Sequence, residues 1–124
     1  MQAERAAGLL AAGRAALGLA VLAAPESVIS RWLGGHASHP VVRYLARSVG
    51  ARDLALGVLA LRTLDDPHRA AQVQAACAVA DSVDALATVA VRSELPPVGA
   101  AGTVAVAGGA AVAGFWLSRA LADG

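Results

Sequence analysis

Three arginines and three aspartates, Arg14, Arg47 and Arg52 with Asp53, Asp81 and Asp84, sit inside stretches that otherwise read as membrane-spanning helices. An ionised side chain at the bilayer centre costs about 2.5–3.5 kcal/mol on the insertion scale, so a set of unpaired charges would oppose insertion. Pairing them with one another between helices removes most of that cost. The pattern therefore calls for a helix bundle with a polar interior, and that interior is where function is to be sought.

Composition agrees with this class. Of 124 residues, 57% are hydrophobic and 15% charged, whereas about a quarter of an average soluble domain is charged. The length suits one domain, residues 1–124. Much of the apolar content is Ala and Gly, so a water-soluble Ala-rich bundle is the competing class. All ten basic residues are arginine, and the formal charge of +1 leaves no basic footprint for nucleic acid. Cys77 is the only cysteine, which excludes an intramolecular disulfide and a cysteine-based zinc site. The opening MQAERAAGLLAAGRAALG carries Glu4 and Arg14 where a secretory signal has an uninterrupted apolar core, so it reads as a retained first helix.

Proline and glycine divide the chain. The spacing predicts a first helix over residues 4–24, closed by Pro25. PESVISRWLGG then puts Val28, Ile29, Trp32 and Leu33 on one side of a short helix, suited to lying flat on a membrane surface, with Gly34 and Gly35 ending it. Pro40 opens a second helix to about Leu64. Asp66 as N-cap and Pro67 as first helical residue open a third, reaching about Val91. Glu94 to Pro97 forms the last turn, and Leu95 to Ser118 is a charge-free run of 24 residues, enough to cross a hydrocarbon core of about 30 Å.

The expected fold is all-α: a four-helix up-down-up-down transmembrane bundle with a short interfacial helix after the first helix, both termini on one side. Arg5, Arg62, Arg69 and Arg119 lie on the terminal side, and Arg31, Arg43 and Arg92 on the other. Positive-inside counting then puts the termini in the cytoplasm of a multi-pass inner-membrane protein. Trp116 at one end, and Trp32 with Tyr44 at the other, suit the two aromatic belts.

Helical spacing predicts which faces meet. Ala46, Gly50, Asp53, Gly57 and Ala60 make a small-residue face around a carboxylate on the second helix; Ala7, Ala11, Arg14, Gly18 and Val21 repeat it around a guanidinium on the first. Arg14 and Asp53 are the expected partners, joined bidentately. On the third helix Gln74, Cys77, Asp81, Asp84 and Thr88 form one polar stripe, which should face protein or water. Arg47 and Arg52 are the available counter-charges for it. They point about 140° apart on a regular helix, and Arg52, the deeper, is the expected partner. Like charges one turn apart in low dielectric can raise the pKa of one, which would make Asp81 or Asp84 a candidate general acid. Neutralising arginine and fixing helix register is the competing role.

Weaker signals remain. His36, His39 and His68 fall on opposite sides in this topology and read as solvated loop residues, so no metal and no cofactor is expected. Cys77 reads as a small buried hydrophobe. Glycines 102, 108, 109 and 114 make the last helix a candidate homodimer face. No phosphate loop, nucleophile elbow or dinucleotide fingerprint occurs.

In SVGARDLALGVLAL, the Arg-Asp-x-x-x-Gly core of Arg52, Asp53 and Gly57, preceded by Gly50, resembles small four-helix membrane proteins of bacteria and fungi, the domain-of-unknown-function family numbered 4267. The resemblance spans roughly residues 45–120 and takes in an acidic position on the third helix that Asp81 or Asp84 would fill. It implies a membrane bundle and no particular reaction. The residues themselves suggest a bilayer-embedded protein that binds a lipophilic small molecule or assists a membrane complex. An intramembrane isomerase or cyclase using Asp81 or Asp84 as general acid is the alternative, and a proton-coupled transporter acting as a dimer is the third.

Overall fold

Proline opens four of the five helices, where its missing N–H is no loss and its fixed φ suits the first turn. The structure, a computed structural model, describes residues 2–124. Its helices are α1 (Gln2–Ala23), α2 (Pro25–Leu33), α3 (Pro40–Arg62), α4 (Pro67–Ala90) and α5 (Pro97–Asp123). Short 3-10 turns occupy Gly34–Ser38 and Arg92–Glu94. The caps follow from side-chain chemistry. Asp66 Oδ1 accepts the His68 and Arg69 N–H groups, each at 3.1 Å, and His39 Nδ1 accepts the Val41 N–H at 3.3 Å. Gly34 ends α2 at a φ of 57°, a left-handed value that favours glycine.

The long helices pack as two antiparallel hairpins, α1 with α3 and α4 with α5; contacts between the hairpins are sparse. Backbones touch along the α1–α3 seam. A Cβ added to Gly18 would lie 2.4 Å from the Leu54 nitrogen, and one on Gly57 2.6 Å from the Ala15 nitrogen. In the other hairpin Gly114 sits against Ala78 and the Gln74 carbonyl. An apolar cluster of Ala7, Ala70, Ala71, Leu117 and Leu121, with Leu10 and Leu64 packed on it, draws the hairpins together at the end where α1 begins and α5 finishes.

At the opposite end α2 folds inward. Ile29 is buried with Val21 and Ala37, and Val28, Trp32 and Leu33 pack around them. The Trp32 carbonyl presses on Gly99 so closely that an added Cβ would come within 1.8 Å of its oxygen. The apolar stripe of α2 is thus spent on protein contacts, not on a membrane surface as its spacing suggested. Trp32 is accordingly turned partly into the protein, whereas Tyr44 and Trp116 are exposed. A helix this short has one apolar face, and the splayed helix ends offer it a dry surface closer than any lipid.

Burial is inverted relative to a water-soluble domain. The buried set is dominated by alanine, while Leu9, Leu86, Val98, Val112 and Trp116 are each more than 60% exposed. Small residues let helices approach, and large ones clothe the outside with apolar surface. Three helices, α1, α4 and α5, are long and apolar enough to cross a membrane. The sequence reading counted four. The exception, α3, carries at least three charges among Arg43, Arg47, Arg52, Asp53 and Arg62 in every 18-residue window, which takes it outside that class.

The α1–α3 seam predicts that Gly18→Ala lowers stability by about 1–3 kcal/mol through overpacking, read by unfolding in mixed micelles. Gly109 meets nothing within 4 Å, so Gly109→Ala should be neutral or stabilising by up to about 1 kcal/mol.

Candidate functional site

Where the hairpins diverge they enclose a partly open cavity of about 900 Å³, at the upper end of the range of about 300–1,000 Å³ usual for small-molecule sites. All four long helices contribute: Leu10, Leu17 and Val21 from α1, Val42, Ala46 and Val49 from α3, Ala87 and Thr88 from α4, Thr103, Ala107 and Ala110 from α5. Trp32, with Ile29 and Leu33, brings α2 over one end. Four charged residues break the apolar wall: Arg14, Asp53, Asp81 and Asp84.

Arg14 is the hub of these charges. Its Nη1 donates to Asp53 Oδ1 on α3 at 3.3 Å, and its Nη2 donates to Asp81 Oδ2 on α4. The side chains of Arg14 and Asp81 are only 7% and 8% exposed. Arg52 forms a second, outer clasp. Its Nη1 and Nη2 donate to the two oxygens of Asp84 at 3.1 and 2.6 Å, while Nε and Nη2 reach Asp53 Oδ1 at 3.3 and 3.1 Å. This pair is about one-third exposed and spans the gap between α3 and α4. The bidentate geometry suits a planar guanidinium.

Several sequence expectations change here. Arg14 meets Asp53 through one nitrogen, because its other prong takes Asp81; the expected bidentate Arg14–Asp53 pair is divided between two helices. Arg47 does not join the polar core. It lies exposed on α3, turned away because its angular offset from Arg52 carries it off the cavity side, and no ion pair reaches it among the described residues. Gln74 and Cys77 are buried two turns and one turn from Asp81, but neither lines the cavity. Thr88 does line it, with its hydroxyl donating to the Asp84 backbone carbonyl at 2.7 Å. Two of the α5 glycines face their own chain, Gly114 against Ala78 and Gly102 beside Trp32, while nothing lies within 4 Å of a Cβ on Gly108 or Gly109. His36 and His39 belong to the α2–α3 connection and His68 to the start of α4; among the described residues no group of His, Cys, Asp or Glu is arranged to hold a metal.

Sequence reasoning found the charges but missed the apolar wall and the role of α2. Trp32 carried a signal, in the stripe it shares with Ile29 and Leu33. Ala46, Ala107 and Ala110 carried none, since a small residue borders a void or a close contact according to what stands opposite.

The fold and site define an all-helical protein with membrane-span-like helices around a charged, largely apolar cavity. No family model, no curated protein and no solved structure matches the chain. In the Arg-Asp-x-x-x-Gly core, Gly57 and the preceding Gly50 admit the α1 backbone, and Arg52 and Asp53 supply two of the five charges.

Removing Arg14 strands the buried Asp81 and leaves Asp53 with Arg52 alone. Arg14→Leu should destabilise the fold by about 3–5 kcal/mol, the usual cost of breaking a buried pair, and Asp53→Asn should also lower the folded fraction in detergent. Arg47→Leu should stay within about 0.5 kcal/mol of the parent in the same assay.

Proposed function

We propose that this is a multi-pass membrane protein that binds a lipophilic small molecule in the cavity between its two hairpins. The observation that carries this reading is the cavity itself, about 900 Å³ and walled mostly by apolar side chains. Several of its lining residues, among them Leu9, Leu45, Val49 and Val106, are also exposed on the outside. An apolar solute dissolved in the bilayer would reach the cavity sideways, through the gaps between the hairpins, without crossing water.

In this proposal α3 is a fourth span, making an up-down-up-down transmembrane bundle. Its Arg52 and Asp53 are neutralised inside the protein, which lowers the cost of insertion. Arg47 can snorkel along its stem toward the interface. The arginine bias puts the termini in the cytoplasm, with the inner membrane of a bacterium as the site. A second copy would meet α5 through Gly108 and Gly109.

A second reading is favoured by one observation. The cavity reaches Asp81, whose Oδ1 accepts no hydrogen bond among the described residues. An intramembrane isomerase or cyclase would use that carboxyl as its general acid, and Asp84, held at both oxygens by Arg52, would serve only to position it. Such a reaction leaves mass unchanged. Lipid extracts of cells expressing the wild type or Asp81→Asn, separated by chromatography, would differ in one pair of equal-mass species if this second reading holds.

Two experiments test the first reading. Washing membranes with alkaline carbonate should leave the chain in the pellet; release would remove the bilayer from the proposal. A neutral, environment-sensitive apolar dye should bind the protein in lipid nanodiscs, and Ala110→Trp, which fills the cavity, should weaken that binding by about ten-fold or more. Equal binding by parent and variant would argue against the cavity as the site.

A further inference from the structure

The charges around the cavity do not balance. Arg14 and Arg52 face Asp53, Asp81 and Asp84, so two guanidiniums are set against three carboxylates and one formal negative charge is left over. The third arginine that would balance the set, Arg47, is outside the network and exposed. The imbalance is greater on the cavity side, because Arg52 is not among the lining residues while all three aspartates are.

The surplus has a location. Asp84 has both oxygens engaged by Arg52. Asp53 concentrates its three hydrogen bonds on Oδ1, and Asp81 uses only Oδ2. Among the described residues no donor reaches Asp53 Oδ2 or Asp81 Oδ1. The Asp81 side chain is 92% removed from solvent and yet borders the cavity. No other charged side chain lines it: Glu26, Arg31 and Arg43 lie on the outer surface of α2 and α3, and Arg92 folds back onto the Val89 carbonyl. An unbalanced carboxylate in low dielectric is met either by a positive partner or by a proton.

We infer that the cavity selects an amphiphilic monocation, with an alkyl or aromatic body in the apolar chamber and an ammonium-type head against the free oxygens of Asp81 and Asp53. This rests on the cavity being a lipophilic binding site and adds the charge of its ligand. The same cavity, about 900 Å³, is lined both by Asp81 and by Trp32 under α2, so it offers a charged wall and an apolar one to a single ligand. Trp32 at the far end would meet the tail, and its indole supplies a reporter.

Trp32 and Trp116 are the two tryptophans, so Trp116→Phe leaves Trp32 as the sole emitter. In nanodiscs of zwitterionic lipid, that variant would be titrated with dodecyltrimethylammonium, dodecanol and dodecyl sulfate. The cation should perturb Trp32 at about ten-fold or more lower concentration than the alcohol, and the sulfate should be weakest, as expected for one close charge contact in low dielectric. Adding Asp81→Asn should bring the cation to the level of the alcohol. Asp84→Asn, at the more exposed pair, also equalises the charges and should have the same effect if Asp81→Asn fails to fold. Equal potency of cation and alcohol in the parent would overturn the inference, the surplus charge then being met by a proton, while leaving the cavity as a lipophile site. Strongest binding by the sulfate would overturn it too. No response to any of the three would instead remove the cavity reading beneath it.

Discussion

Arg14 is the side chain on which the architecture turns. Among the described residues it is the only group whose hydrogen bonds join both hairpins at the buried level, with Asp53 on one prong and Asp81 on the other. Away from it the hairpins touch little: an apolar cluster at one end, α2 at the other, and the one-third-exposed Arg52–Asp84 clasp beside it. Charge-assisted bonds in low dielectric are strong only when every member is partnered, and the loss of one member leaves the rest uncompensated. Beside the cavity, the spacing between the hairpins is therefore spanned by a guanidinium and not by interdigitating side chains, which join them at the end of the Leu117–Leu121 cluster.

That spacing creates the cavity. Within each hairpin small residues bring the backbones into contact, Gly18 on Leu54 and Gly114 on Ala78. Between hairpins the facing positions are also small, Ala46, Ala107 and Ala110, but the backbones are held apart, so the same residue types that elsewhere close a seam here leave it empty. Large side chains could have filled the space. Those that border it, Leu10, Leu17 and Val49 among them, form its wall without filling it, while others such as Leu86 and Val112 present apolar surface on the outside. An apolar exterior, a void between paired helices and charges at one wall of that void are the features on which the proposed uptake of a ligand from a lipid phase rests.

The inward turn of α2 completes the arrangement. Gly99 lets the Trp32 carbonyl approach α5, and this contact holds Trp32 in the cavity wall. The charge imbalance follows from similar geometry. On α3, Arg47 and Arg52 differ by five residues, which on a helix sends one outward and the other toward α4.

How much of this was legible depends on how local each cause is. Pro40 and Pro67 marked helix starts, Asp66 a cap and Pro25 the break after the first helix, because those effects act within one turn of chain; Pro97, read as part of a turn, is itself the first residue of α5. The periodic small faces around Arg14 and Asp53 placed those two residues on approaching surfaces, since a helix carries its own angular register. Whether α3 spans by itself, which oxygen of which aspartate is left free, and whether an alanine closes a seam or lines a void were decided only in three dimensions. The amino-acid sequence by itself determined that charges had to be buried among helices and which faces carried them. The tertiary structure alone decided how they were shared, because a guanidinium has two prongs and which carboxylates meet them depends on how far apart the hairpins stand.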